Sequence, residues 1–143
     1  MSAVGSGFVY HRRVQFPETD ATGIVHFTNY FKYMEEAEHA MWRAAGLSIS
    51  PPGAAIGWPR IGASFDYRKP LRFEDEFDVH IRVTGKTKKT IRYEAELRKD
   101  GETIGTGSLT IICVSRRPDE PMRAIDIPAD VDAAFQAASG SPG

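Results

Sequence analysis

The sequence predicts a single α+β domain in which one antiparallel sheet of five strands packs against one long helix. Apolar residues alternate along five separate stretches, and along a sixth they recur at three- and four-residue steps. The connections between later strands are too short for parallel neighbours, so the sheet is antiparallel. At 143 residues the chain is long enough for one sizeable core and too short for two ordinary ones.

The first strand is read from FVYHRRVQF, where Phe8, Tyr10, Val14 and Phe16 share one face and Arg12 interrupts it. From Phe27 to Ala45 the period changes. Phe27, Tyr30, Phe31, Met34, Ala37, Met41 and Ala45 form the apolar stripe of an amphipathic helix of about five turns. Arg43 in the last turn, followed by Gly46 and Leu47, is its stop signal. Pro51, Pro52, Gly53 and Gly57 then break regular structure.

Four more strands follow. The first carries Ile61, Ala63, Phe65 and Tyr67 on one face, and the second carries Phe77, Val79, Ile81 and Val83 before a turn beginning at Gly85. The third shows Ile91, Tyr93, Ala95 and Leu97, Asp100-Gly101 supplies a hairpin, and the fourth runs from about Thr103 to Val114, weakened locally by Gly105 and Gly107. A short helix is expected over Ala129–Ala138, with Pro128 near its start. The domain is thus placed at residues 8–138, between a flexible N-terminus over 1–7 and a disordered tail over 139–143.

Composition narrows the function classes. A formal net charge of −1 gives no global attraction to nucleic acid. No apolar run approaches the ~18 residues of a membrane span, and the opening MSAVGSG lacks the parts of a signal peptide. The expected location is therefore the cytoplasm, with no membrane partner. Cys113 is the only cysteine, which excludes an intrachain disulfide and a cysteine-based zinc site; it is expected to be a buried hydrophobe. His11, His39 and His80 are scattered without metal-like partners, no glycine-rich phosphate loop is present, and no metal or redox cofactor is expected.

The chemistry is concentrated between Glu18 and Tyr30, where a carboxylate and small residues lead into the helix. Unpaired amides at a helix start can stabilise an oxyanion, and Asp20 lies just upstream. Each residue also has a plainer role. Asp20 suits a turn, His26 suits a structural place beside the helix start, and Tyr30 falls in the apolar stripe. Asn29 could orient the loop. Glu35 and Glu36 diverge by about 100° around the helix, so at least one is expected on a solvated face.

The segment D-x-x-G-I-V-x-F-x-N-Y from Asp20 to Tyr30, followed by the amphipathic helix, resembles the 4-hydroxybenzoyl-CoA thioesterase family and the acyl-CoA thioesterases associated with the Tol-Pal system. The likeness continues through Tyr67-Arg-Lys-Pro-Leu71 with Asp75, Gly85–Thr90 and Ile125–Pro128. It implies a hotdog fold, homodimers or homotetramers with sheets paired edge to edge, and active sites between subunits. It further implies hydrolysis of an acyl-CoA, with CoA present only as part of the substrate. Asp20 would be nucleophile or general base, the Phe27 backbone amide the oxyanion donor, and His26 a supporting residue. Lys86, Lys88, Lys89, Arg117 and Arg123 are the candidate cations for CoA phosphates. The rival from another class is a non-catalytic acyl-CoA or acyl-carrier-protein binding module. A dehydratase is disfavoured because its Asp-x-N-P-x-H motif is absent, and a purely structural oligomerisation domain would leave the Asp20 loop unexplained.

Overall fold

The computed structural model describes residues 7–136. The expected flexible start and disordered tail lie outside that range except for Gly7, which already pairs with Arg82 in the first strand. That strand, β1 (Gly7–Arg13), ends earlier than its alternation suggested. A 3-10 turn over Phe16–Glu18 follows, which takes Phe16 out of phase with the strand and leaves it 70% exposed.

Helix α1 (Asn29–Ala44) buries Tyr30, Tyr33, Met34, Ala37, Met41 and Trp42. Each large side chain removed from water in this way contributes about 1.5–3 kcal/mol. The helix begins two residues later than expected, leaving Phe27 exposed. At its end Gly46 takes φ 80°, and its N–H donates to the Arg43 carbonyl at 2.9 Å while the Leu47 N–H donates to that of Trp42 at 3.0 Å. This is the glycine stop read from the sequence.

Beyond β2 (Ile56–Gly57) come the long strands β3 (Arg60–Tyr67), β4 (Glu76–Lys86), β5 (Thr90–Lys99) and β6 (Glu102–Ile112). With β1 they form an antiparallel five-stranded sheet in the order β1-β4-β5-β6-β3. Phe77, Val79, Ile81 and Val83 of β4 and Ile91, Tyr93, Ala95 and Leu97 of β5 are all buried against α1, as their alternation requires. Asp100 and Gly101 have φ of 50° and 78°, the backbone of a two-residue hairpin.

Several details differ from the expectation. Strand β4 continues through Gly85 to Lys86 by a register shift, so its turn falls later. After Cys113 the chain leaves β6 and enters β7 (Val114–Ser115), which joins β2 and β8 (Arg123–Ala124) in a small second sheet. Helix α2 (Ala129–Ala134) stops short of Ala138 because Phe135 turns extended and packs 5.0 Å from Trp42. Strand β3 is one edge of the sheet, β1 being the other, and a register shift between Arg60 and Gly62 disturbs its phase. Ile61 is 59% and Tyr67 47% exposed, while Phe65 packs on the core.

The β5–β6 pairing shifts register beside Gly105, and both Gly105 and Gly107 make room for Phe65. A Cβ on Gly107 would lie 2.7 Å from the Met34 sulfur, the Phe65 ring and the Ser64 carbonyl oxygen. The last is backbone and cannot swing away. Gly107→Ala is therefore expected to lose about 1–3 kcal/mol of stability, measured by thermal unfolding. An unchanged Tm would show that this close approach is not required.

Candidate active site

The segment from Glu18 to His26 folds back on itself as a small hairpin. The His26 N–H donates to the Glu18 carbonyl at 2.8 Å, Thr19 bridges Val25, and the Asp20 N–H donates to the Ile24 carbonyl at 2.8 Å. The tip closes where the Gly23 N–H, at φ 85°, donates to the Asp20 carbonyl at 3.0 Å. The returning arm is tied to the segment before β4, since Ile24 bridges Arg72 and the Val25 N–H donates to the Leu71 carbonyl at 2.8 Å.

Glu18 anchors this hairpin to the rest of the fold. Its carboxylate accepts from Arg12, from the Gln15 amide at 2.8 Å and from the Tyr33 hydroxyl at 2.9 Å. Its carbonyl accepts from the Asn29 side-chain amide at 2.9 Å. Arg12 reaches on to Glu36 at 2.8 Å and lies 5.0 Å from the centre of the Tyr33 ring. The arginine that interrupted the first strand's apolar face is thus a bridge from β1 to the hairpin and α1. Burial opposes ionisation of Glu18, but the bonds from Arg12, Gln15 and Tyr33 outweigh it and hold the carboxyl below its ordinary value.

Asp20 is half-buried. Its Oδ1 accepts from the Thr22 N–H at 2.8 Å and the Thr22 hydroxyl at 2.6 Å, which leaves Oδ2 to meet a carbonyl carbon or a water. The Thr22 donors, with the His26 charge as a lesser influence, lower the Asp20 pKa below its ordinary value. The residue is a turn residue and an ionised carboxylate together. His26 is exposed, with Nδ1 2.8 Å from the Thr28 hydroxyl and its ring against Phe27 at 4.7 Å.

The Phe27 N–H has no hydrogen-bond acceptor among the described residues. It shares a trans peptide with the His26 carbonyl, which accepts from the Asn29 N–H at 2.9 Å. Fixing that carbonyl on the helix aims the Phe27 N–H the opposite way. On the other side of Phe27, its carbonyl accepts from the Tyr67 hydroxyl at 2.9 Å. The residue just ahead of the helix cap therefore presents an oriented, unbonded donor beside a loop that carries an anionic carboxylate.

The five candidate cations are placed elsewhere. Strand β4 runs eleven residues from Glu76, near the hairpin, to Lys86, so its ends are roughly 33 Å apart. Lys86 donates to Asp132 at 2.8 Å and Lys89 to Asp126 at 2.7 Å. Lys88, Arg117 and Arg123 are exposed at the same far end and make no ion pair among the described residues. Arg72, opposite Ile24, is the cation this chain sets beside its own Asp20 loop. The sequence reading missed its placement, together with the roles of Tyr67, Glu18 and Arg12; only Arg12, at an inward strand position, carried a visible signal.

Glu35 is exposed, as expected for at least one of the two, and Glu36 is half-buried; both are paired. Glu36 accepts from Tyr10 at 3.0 Å and from Arg12, and Glu35 accepts from Arg60 at 2.8 Å. Tyr30 is a core residue, and Cys113 is fully buried, which pushes its thiol pKa up.

Because the folded Glu18 carboxyl lies below its unfolded value of about 4.3, its stabilisation is complete above that value. It is lost as pH falls through the folded one. Glu18→Gln should lower stability at pH 7 by about 1–3 kcal/mol, the scale of hydrogen bonds to a charged group. It should also flatten the loss of Tm below pH ~4.5; an acid limb identical to wild type would remove Glu18 from that balance.

A model of the Thioesterase superfamily matches residues 22–106. A protein of Aquifex aeolicus named as an esterase is 44% identical over 77 residues, covering 53% of this chain and 60% of its own length. A 1,4-dihydroxy-2-naphthoyl-CoA hydrolase of Synechococcus elongatus is 24% identical over 111 residues, covering 75% of this chain and 81% of that protein. The solved structure of a gentisyl-coenzyme A thioesterase superposes with a TM-score of 0.79 at 30% identity, covering 87% of this chain and 99% of the other. A helix wrapped by an antiparallel five-stranded sheet is the hotdog architecture, and this chain belongs to the thioesterase superfamily.

Proposed function

We propose that this protein hydrolyses an aromatic acyl-CoA to a carboxylic acid and CoA at the Asp20 loop. The observation that carries the reading is the pairing of an ionised Asp20 carboxylate with the unbonded Phe27 N–H at the start of α1. The donor would meet the thioester oxygen as it gains charge, an interaction worth about 2.7–4 kcal/mol in other hydrolases. Acting as nucleophile, Asp20 Oδ2 forms a C–O bond to the carbonyl carbon, the C–S bond breaks, and CoA leaves as thiolate before water opens the mixed anhydride. Acting as general base, Asp20 takes a proton from water, whose oxygen attacks the same carbon and expels the thiolate in turn.

The aromatic acyl class is favoured by the exposed rings of Phe27 and Tyr67 at the helix start and by the aromatic substrates named for two of the relatives. Thiol release from a panel of aryl- and alkyl-CoAs tests it. Turnover should favour aryl thioesters and fall about a hundredfold or more in Asp20→Asn and Asp20→Ala. The acid limb of kcat/KM should lie below pH ~3.8, because Asp20 is held under its ordinary value. Thr22→Ala, which removes one donor to the carboxylate, should move that limb upward. Tight thioester binding without Asp20-dependent release would establish the binding-module alternative instead.

The distant cations fit this reading if two copies pair along β3. Antiparallel pairing of two β3 edges reverses their directions, bringing the basic end of one protomer alongside the Asp20 loop of its partner. There Lys88, Arg117 and Arg123 would hold the CoA phosphates of the partner's substrate. Lys88→Ala combined with Arg123→Ala should raise KM about tenfold with little change in kcat. Mixing that variant with Asp20→Asn should restore a low-KM population, because each intact Asp20 then faces an intact set of cations. No restoration in confirmed mixed dimers would place the nucleotide within one chain, near Arg72.

A further inference from the structure

We infer that Tyr67 is a positioning residue for the oxyanion donor, setting where α1 begins and thereby where the Phe27 N–H points; the inference rests on the hydrolytic reading above. In a regular helix extended back to Phe27, the Phe27 carbonyl would accept the N–H of Phe31, four residues on. Here the Phe31 N–H donates instead to the Thr28 carbonyl at 3.3 Å. The Phe27 carbonyl is occupied by the Tyr67 hydroxyl at 2.9 Å. This is a physical reason for the helix to start at Asn29, although the apolar stripe continues back to Phe27.

The two peptide groups flanking Phe27 are consequently held from different elements. The Asn29 N–H holds the His26 carbonyl from within the first turn, and Tyr67 holds the Phe27 carbonyl from the edge strand. The Tyr67 ring is itself well placed to serve as a strut. It meets Tyr30 edge-on with centroids 5.1 Å apart and leans on Phe65 at 4.8 Å. One and two residues further along, Arg68 and Lys69 both donate their N–H groups to the Ile104 carbonyl, at 3.0 and 3.1 Å, which fixes the end of the strand. The hydroxyl thus carries the rigidity of the sheet to the first turn of the helix. Without it the Phe27 carbonyl is free to turn into the helix, and the neighbouring N–H turns with it.

Tyr67→Phe keeps the ring and removes only the hydroxyl. We expect kcat to fall about tenfold, the effect of misplacing a donor by roughly the worth of one hydrogen bond. KM should stay within about twofold of wild type, since the donor acts on charge that develops during reaction. Tm should move by no more than a few degrees, because a half-exposed hydroxyl contributes little to stability. Independently of turnover, the backbone resonance of Phe27 in protein labelled with 15N-phenylalanine should shift, while those of phenylalanines remote from the helix start stay in place. Phe27→Leu assigns that resonance by its loss. A Tyr67→Phe protein with wild-type kcat, with its loss confined to KM, or with an unmoved Phe27 resonance overturns the inference. A wild type without Asp20-dependent turnover overturns the hydrolytic reading and the role of Tyr67 with it.

Discussion

Glu18 sits where β1, the 3-10 turn, the Asp20 hairpin and α1 converge, and its two ends do different work. The carboxylate gathers Arg12, the Gln15 amide and the Tyr33 hydroxyl, while the carbonyl gathers the His26 amide and the Asn29 side chain. A partly buried carboxylate is costly unless it is paired and hydrogen-bonded, and here every donor comes from a segment that must be held near the helix start. Satisfying one charge therefore locks the hairpin to both layers of the fold. Arg12 extends the lock to Glu36, whose other hydrogen bond ties β1 to the helix through Tyr10.

The rest of the sheet can wrap α1 because its inner face is fitted to the helix. Strands β4 and β5 supply branched and aromatic side chains, and β6 withdraws side chains at Gly105 and Gly107 so that Phe65 and Met34 can approach. Farther along the helix, Glu38 is fully buried and lies 2.6 Å from Arg60, while the Trp42 indole donates to the Tyr93 hydroxyl at 2.9 Å. Burial of the Tyr93 hydroxyl, reinforced by the nearby Glu38 charge, pushes its pKa well up, so it stays a neutral phenol. These polar contacts tie the middle of α1 to β3 and β5, away from the Asp20 hairpin.

The molecule consequently has two chemically different ends separated by the length of β4. One holds a carboxylate and an open amide donor; the other holds basic residues, of which Lys86 and Lys89 are paired with Asp132 and Asp126. Strand β3 lies on the sheet's margin, with most of its residues exposed. A sheet margin of this kind has unpaired backbone groups along its outer side, which is why pairing with a second copy gives a geometric route for the two ends to meet.

What was legible in the sequence is what repeats locally. Alternation determined the antiparallel strands, the three-to-four step determined the helix face, Asp100-Gly101 determined a hairpin, and Gly46 the helix end, because each follows from backbone geometry within a few residues. The stretch from Asp20 to Tyr30 also pointed to the family that the chain belongs to. Only the tertiary structure decided that Arg12 meets Glu36 across 24 positions and that Tyr67 meets Phe27 across 40. It likewise decided that β3 is an edge and that the lysine-rich turn faces away from Asp20. Such contacts depend on how strands are ordered and how far each one runs, and no local period of the chain encodes either.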